Sequence, residues 1–495
     1  MQVRRPISGA WLLCTVFVCG AAVMAVEFLA VRALAPHFGS DLATWTAVLS
    51  ITLASIAAGN WLGGSLSTRF RGIASPYCFV LGSSFAIALP ALYQQPLLSG
   101  LEIADPRIGA PAATTLLFTP ALALLAGVPP VAIQQLKRTE EGAGSVAGRV
   151  YAVSGIGSIF GTLASGLALL PIFGTAAALR GTAALLGLIS ALGLASDRRR
   201  VALAVAASAV LAAFLPEIGA APSGILDSKQ SAYGLVQVTD TGRERLLWSD
   251  GILQTGMGTP VEAQVLRGQM LASLNFIELA PYYRPFSRRA LVVGLGGGLY
   301  GKMFRAYGIL TDSVEIDAVV VELARKHFAF TGPVEIGDGR RVLARLARDG
   351  NKYDVIVIDA FSGGGLPFQL FSREAFQLAR TILPDSGILC LHVIARPRGE
   401  VCAALVRTLR TSFEHVACHR AGAENETQHL YLFAGSSPLR LRLESFLRNS
   451  LGYTGNERFE PPVSERILSD DQNPLDALHV EEAREWRKSM KSLMR

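Results

Sequence analysis

The chain has 495 residues, 51% of them hydrophobic and 17% charged, a balance too apolar for an ordinary soluble enzyme. Its formal net charge of +7 does not point to nucleic acid. The arginines gather at the ends of apolar runs, and no basic stripe with interleaved aromatics appears.

Most of the long apolar runs precede residue 216 or so. At roughly 20 apolar residues per crossing they predict about seven spans, near 10–34, 42–66, 74–96, 108–136, 150–170, 174–196 and 200–216. Residues 1–218 are thus expected to form a transmembrane domain in a lipid bilayer. The first run is too long and too alanine-rich for a cleaved signal peptide. In "GIGSIFGTLASG", Gly157 and Gly161 have the small-xxx-small spacing that lets two helix backbones approach closely. Glu27 is a carboxylate well inside the first run, where an ionisable group is costly and marks a candidate functional site.

The arginine pattern predicts a cytoplasmic N-terminus, with Arg4, Arg5, Arg69, Arg71 and Arg198 to Arg200 on one side of a seven-span arrangement. Seven crossings would then put the rest of the chain outside the cell. A domain using a cytoplasmic nucleoside donor should face inward, and the expectation adopted is a cell-membrane protein with its globular part in the cytoplasm. The six cysteines show no CxxC and no zinc spacing, so no metal is expected.

The globular half opens with "YGLVQVTDTGRERLLWSDGILQT" (233–255), whose short apolar runs and turn residues predict a β-rich extension over 225–288. Strand and helix patterns then alternate. Strands are predicted at 289–294, 312–317, 333–338, 353–360 and 387–394, with helical patterns at 318–328 and 373–383. Two further strands, near 414–419 and 428–434, are joined by a short loop. The fold class expected over 289–435 is α/β: a Rossmann-like, doubly wound sheet of methyltransferase type with an antiparallel pair at one edge. Residues 436–495 read as a polar tail.

Within that frame, "ALVVGLGGGLYGKMF" (290–304) reads as a buried strand, a glycine turn and a helix start. Gly296, Gly298 and Gly301 fit GxGxxG, and Glu315 follows Gly294 by 21 residues, suited to a ribose hydroxyl pair. No Gly-Lys-Ser/Thr follows, which excludes a P-loop. Both a dinucleotide and an S-adenosylmethionine-type ligand share these features. The absence of a second mononucleotide half favours the latter. Asp338 and Gly339 close the third strand, where a carboxylate can receive an adenine amino group. Asp359 closes the fourth, facing the reacting end of the ligand.

At these residues the chain resembles the spermidine synthases (polyamine aminopropyltransferases). The likeness is carried by "SDGILQT" (249–255), "GLGGG" (294–298), "VEID" (314–317), "GDG" (337–339), "VIDAFSGGGLPFQLFSREAF" (357–376) and "GIL" (387–389). The apolar half resembles the membrane domain of the membrane-fused branch of that family, through "VEFLAVRALAPHFGS" (26–40), "AAGNWLGG" (57–64) and "GRVYAVSGIGSIFGT" (148–162). A late "LSDDQNPLD" (468–476) resembles a tail element of the same branch.

The resemblance implies aminopropyl transfer from decarboxylated S-adenosylmethionine to an amine such as putrescine, releasing methylthioadenosine, with no tightly bound cofactor. It makes Asp359 the base, and Gly294, Gly296, Gly298, Glu315, Asp338 and Gly339 the donor site. A small amine acceptor and a homodimeric partner are expected. Acceptor positions depart from the family pattern. Leu299 and Ser362 stand where the family has aspartates, and Gly234 where it has a glutamine. Ala263, Gln264 and Val265 replace a Tyr-His-Glu stretch. Gln254 and Gln264 remain as acceptor candidates, and Asp470 with Asp471 as substitute acids brought back by the tail. Two rival functions stay open: methyl transfer from S-adenosylmethionine itself, and a transporter or sensor that binds nucleoside without chemistry. His392 reads as a sheet residue rather than a base.

Overall fold

A computed structural model describes residues 9–39, 42–67, 75–90, 97–98, 100–101, 106–137, 142–194, 224–258, 276–361, 365–442 and 458–492. The chain divides into two compact units, Met1–Ala221 and Pro222–Arg495.

The first unit is helical: α1 (Gly9–Phe38), α2 (Leu42–Ser67), α3 (Ser75–Ala88), α4 (Pro106–Leu117), α5 (Thr119–Leu136), α6 (Ala143–Ala164) and α7 (Leu170–Leu194). The closest packing follows the small residues. A Cβ at Gly157 or Gly161 of α6 would lie 2.1 Å from the carbonyl oxygen of Phe17 or Ala21 on α1. Gly59 and Gly63 of α2 meet Ala123 and Gly127 of α5 in the same way. Hydroxyls add clasps between α3 and α7: Ser84 donates to the Ala183 carbonyl at 2.7 Å and Ser190 to that of Tyr77 at 2.8 Å. Large apolar side chains point outward, among them Ile156, Ile159, Leu163, Leu185 and Leu192. Close backbone contact inside and apolar surface outside is the arrangement a lipid solvent favours. Glu27 is half-buried on α1.

Among the described residues four helical segments are long and apolar enough to cross a membrane, Gly9–Phe38, Thr44–Ser67, Thr119–Leu136 and Ala143–Leu194, beside two shorter apolar helices. The run at 108–136 is divided at Phe118, because Pro120 in the first turn of α5 lacks an N–H to continue the helix. The runs at 150–170 and 174–196 follow one another without a polar loop. The first passes through a π turn at Ser165–Leu169, and Gly174, with non-helical φ 74° and ψ 173°, breaks the helix where the second run begins. The run at 200–216 lies outside the described residues.

The second unit opens with an antiparallel meander in the order β1-β2-β3-β4: β1 (Ile225–Gln230), β2 (Leu235–Asp240), β3 (Glu244–Ser249) and β4 (Ile252–Gly258). Asp250 and Gly251 form the two-residue β3–β4 turn, both with positive φ (46° and 74°), as the twist of a tight hairpin requires.

An eight-stranded sheet follows in the order β12-β10-β11-β9-β8-β5-β6-β7. Its strands are β5 (Arg289–Val293), β6 (Leu310–Glu315), β7 (Val334–Ile336), β8 (Val355–Ile358), β9 (Ile388–Ala395), β10 (His415–Arg420), β11 (Gln428–Gly435) and β12 (Arg458–Phe459). Strands β9-β8-β5-β6-β7 are parallel, and β11, β10 and β12 are added antiparallel. This is the methyltransferase-type Rossmann arrangement with a mixed sheet. Every residue of β8 and β9 is buried, because helices cover both faces of a parallel sheet and leave no polar side.

The covering helices are α8 (Leu299–Ala306), α9 (Ala318–His327), α10 (Gly339–Arg348), α11 (Arg373–Ile382) and α12 (Glu400–Leu409). In α10 the pattern is plain: Val342, Leu343 and Leu346 are buried while four arginines take the other side. Each apolar side chain so buried contributes ~1.5–3 kcal/mol.

The stretch read as a polar tail carries β12, which extends the sheet, and the helix α13 (Leu475–Ser492), which packs on β9. Alternation of charged and apolar residues across α13 conceals a face that includes buried Leu475, His479 and Ala483.

Candidate active site

Strand β5 leads to β6 on one side of the sheet, and β8 lies on the other. The crevice at the carboxyl ends of these strands is the topological switch point, where open α/β sheets hold ligands. Gly294 follows β5 and Asp359 follows β8. Gly294 has φ 99°, and a Cβ there would lie 1.8 Å from the Asp359 carbonyl oxygen. Glycine at 294 therefore lets the loop and the end of β8 come together. The amide of Asp359 donates to the Val293 carbonyl at 2.8 Å. Gly298 (φ 76°) caps α8 from the left-handed region, and Thr255, from β4, accepts the Gly297 N–H through its hydroxyl at 2.9 Å.

A cleft of ≈ 260 Å³ opens here. The expected donor residues Gly294, Gly296, Glu315, Asp338, Gly339 and Asp359 line it, as does Gln254 from β4. Gly298 is not among its lining residues and acts through the helix start.

The carboxylates are held in different ways. Glu315 accepts the backbone N–H of Leu295 at 2.9 Å and that of Asp317 at 3.0 Å. Burial pushes its carboxyl up from the usual range, with those two amides opposing the shift. Asp338 caps α10 by accepting the Arg341 N–H at 2.9 Å. Asp317 also lines the cleft. It caps α9 through Val319 N–H and accepts the Ser231 hydroxyl at 2.5 Å. Sequence reasoning passed over Asp317 as a site residue, although its place at a helix start two residues after Glu315 was a signal.

Asp359 is held by a side chain from the neighbouring strand. Its Oδ1 lies 2.6 Å from Nδ1 of His392, and His392 Nε2 lies 2.8 Å from Nδ1 of His429. His392 is a sheet residue, on β9, and its ring in addition contacts the candidate base directly. No motif marks either histidine, and only the pairing of β9 with β11 brings them together.

The expectation that Asp470 and Asp471 face an acceptor is also corrected. Asp470 pairs with Arg340 at 2.7 Å and accepts the Ser372 hydroxyl at 2.5 Å. Asp471 is exposed, and neither lines the cleft. An arginine beside the α10 start is the stronger partner. Asn473 of the same segment donates to the carbonyls of Phe368 and Phe371 at 3.1 and 3.3 Å, so the segment braces the cleft rim from behind. Leu299 is the first residue of α8 and is not a lining residue. A Cβ at Gly234 would lie 2.6 Å from the Asp250 carboxylate, which would have to shift to admit a longer residue. Gln264 and Ser362 lie outside the described residues.

No family model matches the chain. A probable polyamine aminopropyl transferase of Bifidobacterium longum (strain NCC 2705) is 28% identical over 286 residues, 50% of this chain and 61% of the relative. An N-terminal histidine N-methyltransferase of Emericella nidulans is 32% identical over 142 residues, 28% of this chain and 25% of that one. A solved structure, a probable spermidine synthase from Corynebacterium glutamicum ATCC 13032, is 16% identical with a TM-score of 0.38, covering 49% of this chain and 99% of that chain. Further curated relatives are named polyamine aminopropyltransferase. Over about half its length the chain is thus similar to polyamine aminopropyltransferases, and it spans less than two thirds of the first curated relative.

Proposed function

We propose that the second unit is an aminopropyltransferase that uses decarboxylated S-adenosylmethionine and an amine acceptor, in a chain held in the cell membrane by its apolar helices. One observation carries the donor assignment. The described residues that line the cleft include four carboxylates, Glu315, Asp317, Asp338 and Asp359, and no lysine, arginine or histidine. S-adenosylmethionine brings a carboxylate, which these acidic walls repel and no cationic side chain among them offsets. The decarboxylated donor carries only a sulfonium and an ammonium, which acidic walls favour.

In this reading Glu315 accepts from ribose hydroxyls while its backbone partners keep it oriented, and Asp338 accepts from the adenine amino group. The acceptor arrives as an ammonium and becomes a nucleophile only on losing a proton, which Asp359 takes. The amine lone pair then attacks the methylene next to sulfur. The C–N bond forms, the C–S bond breaks, and its electron pair stays on sulfur as neutral methylthioadenosine. Leu299 leaves the glycine loop without an acid, so an acceptor with a single cationic end fits better than a long diamine. The likeness to a histidine N-methyltransferase favours methyl transfer as the second reading.

Full-length purified protein, incubated with each donor and a panel of amines, decides between them. Methylthioadenosine formed from the decarboxylated donor supports the proposal. S-adenosylhomocysteine formed from S-adenosylmethionine supports the second reading. No product from either leaves nucleoside binding without chemistry. We further propose that the catalytic unit faces the cytoplasm, where such donors are made. An active periplasmic alkaline phosphatase fused after residue 220 would contradict this. A homodimer is part of the same proposal, tested by the mass of the detergent-solubilised protein.

A further inference from the structure

The carboxylate at the end of β8 is the first member of a row of side chains that runs away from the cleft. Asp359 meets His392, which meets His429. His392 lies opposite Tyr431 in the β9–β11 register, and residues two apart on a strand share a face. His392, Tyr431 and His429 therefore form one patch. Tyr431 stacks on His392, with ring centroids 4.9 Å apart and 9° between planes. The His392 and His429 rings are inclined by only 21° with centroids 5.0 Å apart, so the 2.8 Å hydrogen bond runs near both ring planes. Trp486 of α13 closes edge-on over His429 at 4.7 Å.

Proton bookkeeping fixes the roles. An ionised carboxylate only accepts, so Nδ1 of His392 carries the hydrogen that faces Asp359. Nε2 of the neutral ring is then an acceptor, and Nδ1 of His429 supplies its hydrogen. Burial drives the His429 pKa down to about 3, so it does this as a neutral ring. A second proton on His392 would require His429 to shift its own hydrogen from Nδ1 to Nε2.

We propose that His392 is a positioning residue for Asp359 and that His429 locks its tautomer, so that one carboxylate oxygen stays engaged and the other serves the cleft. The inference rests on the reading of Asp359 as proton acceptor. The titratable groups that face the pair are Asp359 after β8 and Tyr431 on β11, while Glu482 and Glu485 on α13 act on Arg396. Arg396 at the end of β9 pairs with Glu485.

The test uses full-length protein in detergent and two readouts. The first is the pH profile of kcat and KM for nucleoside release. Wild-type kcat should hold its plateau further to the acid side than that of His429→Phe. Removing the His429 N–H frees Nε2 of His392, and kcat of that variant should fall several-fold on the acid side with the donor KM unchanged. His429→Asn keeps an N–H donor and should behave as wild type. His392→Leu should lose roughly 10- to 100-fold in kcat, and His392→Gln, which can still donate, should recover part of it.

The second readout is nitrogen NMR of the chain's 7 histidines, with His392 assigned from the Gln variant. His392 should stay a neutral Nδ1–H tautomer through the range in which it titrates in His429→Phe. An ordinary titration of His392 in wild type, or matching titration in wild type and His429→Phe, would overturn the inference. If neither donor yields a nucleoside product, the transfer reading fails, and the NMR result still decides the lock. If His429→Phe does not fold, the wild-type titration decides it.

Discussion

Glu315 and Asp359 stand at the ends of β6 and β8, the strands on either side of β5, and the two are held by opposite means. Glu315 is braced by main-chain amides 20 and 2 residues away. Asp359 is braced by a histidine 33 residues on, which leans on a second one 37 residues further, beneath Trp486. The carboxylate assigned to binding is assembled by the turn and strand next to it. The carboxylate assigned to chemistry depends on β9, β11 and the last helix. Local chain geometry suffices to hold a ligand, whereas setting the state of a base takes groups gathered from across the fold.

Changing either carboxylate should separate these roles. Asp359→Asn should lower kcat by about 10²- to 10⁴-fold, the usual worth of a positioned base, and leave methylthioadenosine affinity within a few-fold. A variant with near wild-type turnover would remove Asp359 from the chemistry. Glu315→Gln should weaken methylthioadenosine binding by ~1.5–3 kcal/mol, the scale of hydrogen bonds to a charged group, read by calorimetry. Unchanged affinity would mean that Glu315 only braces the glycine loop.

Smaller effects concern pH and the rim. His429 titrates near pH 3 when folded but near 6.5 when unfolded. The unfolded chain therefore takes up the proton first, and stability is lost as pH falls from about 6.5 towards 3. Glu482 acts the other way. Burial raises its pKa to about 7, so the folded state keeps a proton that the unfolded chain releases, and stability is lost as pH rises from about 4.5 to 7. Thermal melts across this range should show Glu482→Gln abolishing the upper loss and His429→Phe the lower one. Identical curves for all three proteins would contradict both assignments. Asp470→Asn should change least. Its ion pair with Arg340 is nearly half exposed on the acid side, and such pairs contribute ~0–1 kcal/mol. The KM for the acceptor should not move, and a large rise would return Asp470 to the acceptor site.

The sheet was legible because parallel strands buried on both faces read as unbroken apolar runs, as in "VIVI" at 355–358. The donor side was legible because Gly294, Glu315 and Asp338 sit at fixed offsets along one strand–turn–helix path. The close α1–α6 contact followed from the Gly157 and Gly161 spacing. What stayed hidden depends on long-range pairing. Nothing in "GILCLHVI" says that His392 will face a carboxylate, because the facing residue is chosen by β8 and β11. The break at Phe118 and the kink at Gly174 turn on single-residue backbone effects, a proline in one case and a glycine with positive φ in the other. Residues 475–492 look polar, yet a helix can bury one side of such a stretch.

The preference between two donors that differ by one carboxylate tests the account most directly. Calorimetric competition on the full-length protein should find decarboxylated S-adenosylmethionine bound at least about tenfold more tightly than S-adenosylmethionine, since an unpaired charged group in an acidic cleft costs 1.4 kcal/mol or more, roughly tenfold in affinity. Equal affinity, or a preference for the carboxylated donor, would contradict the assignment of this cleft to aminopropyl transfer.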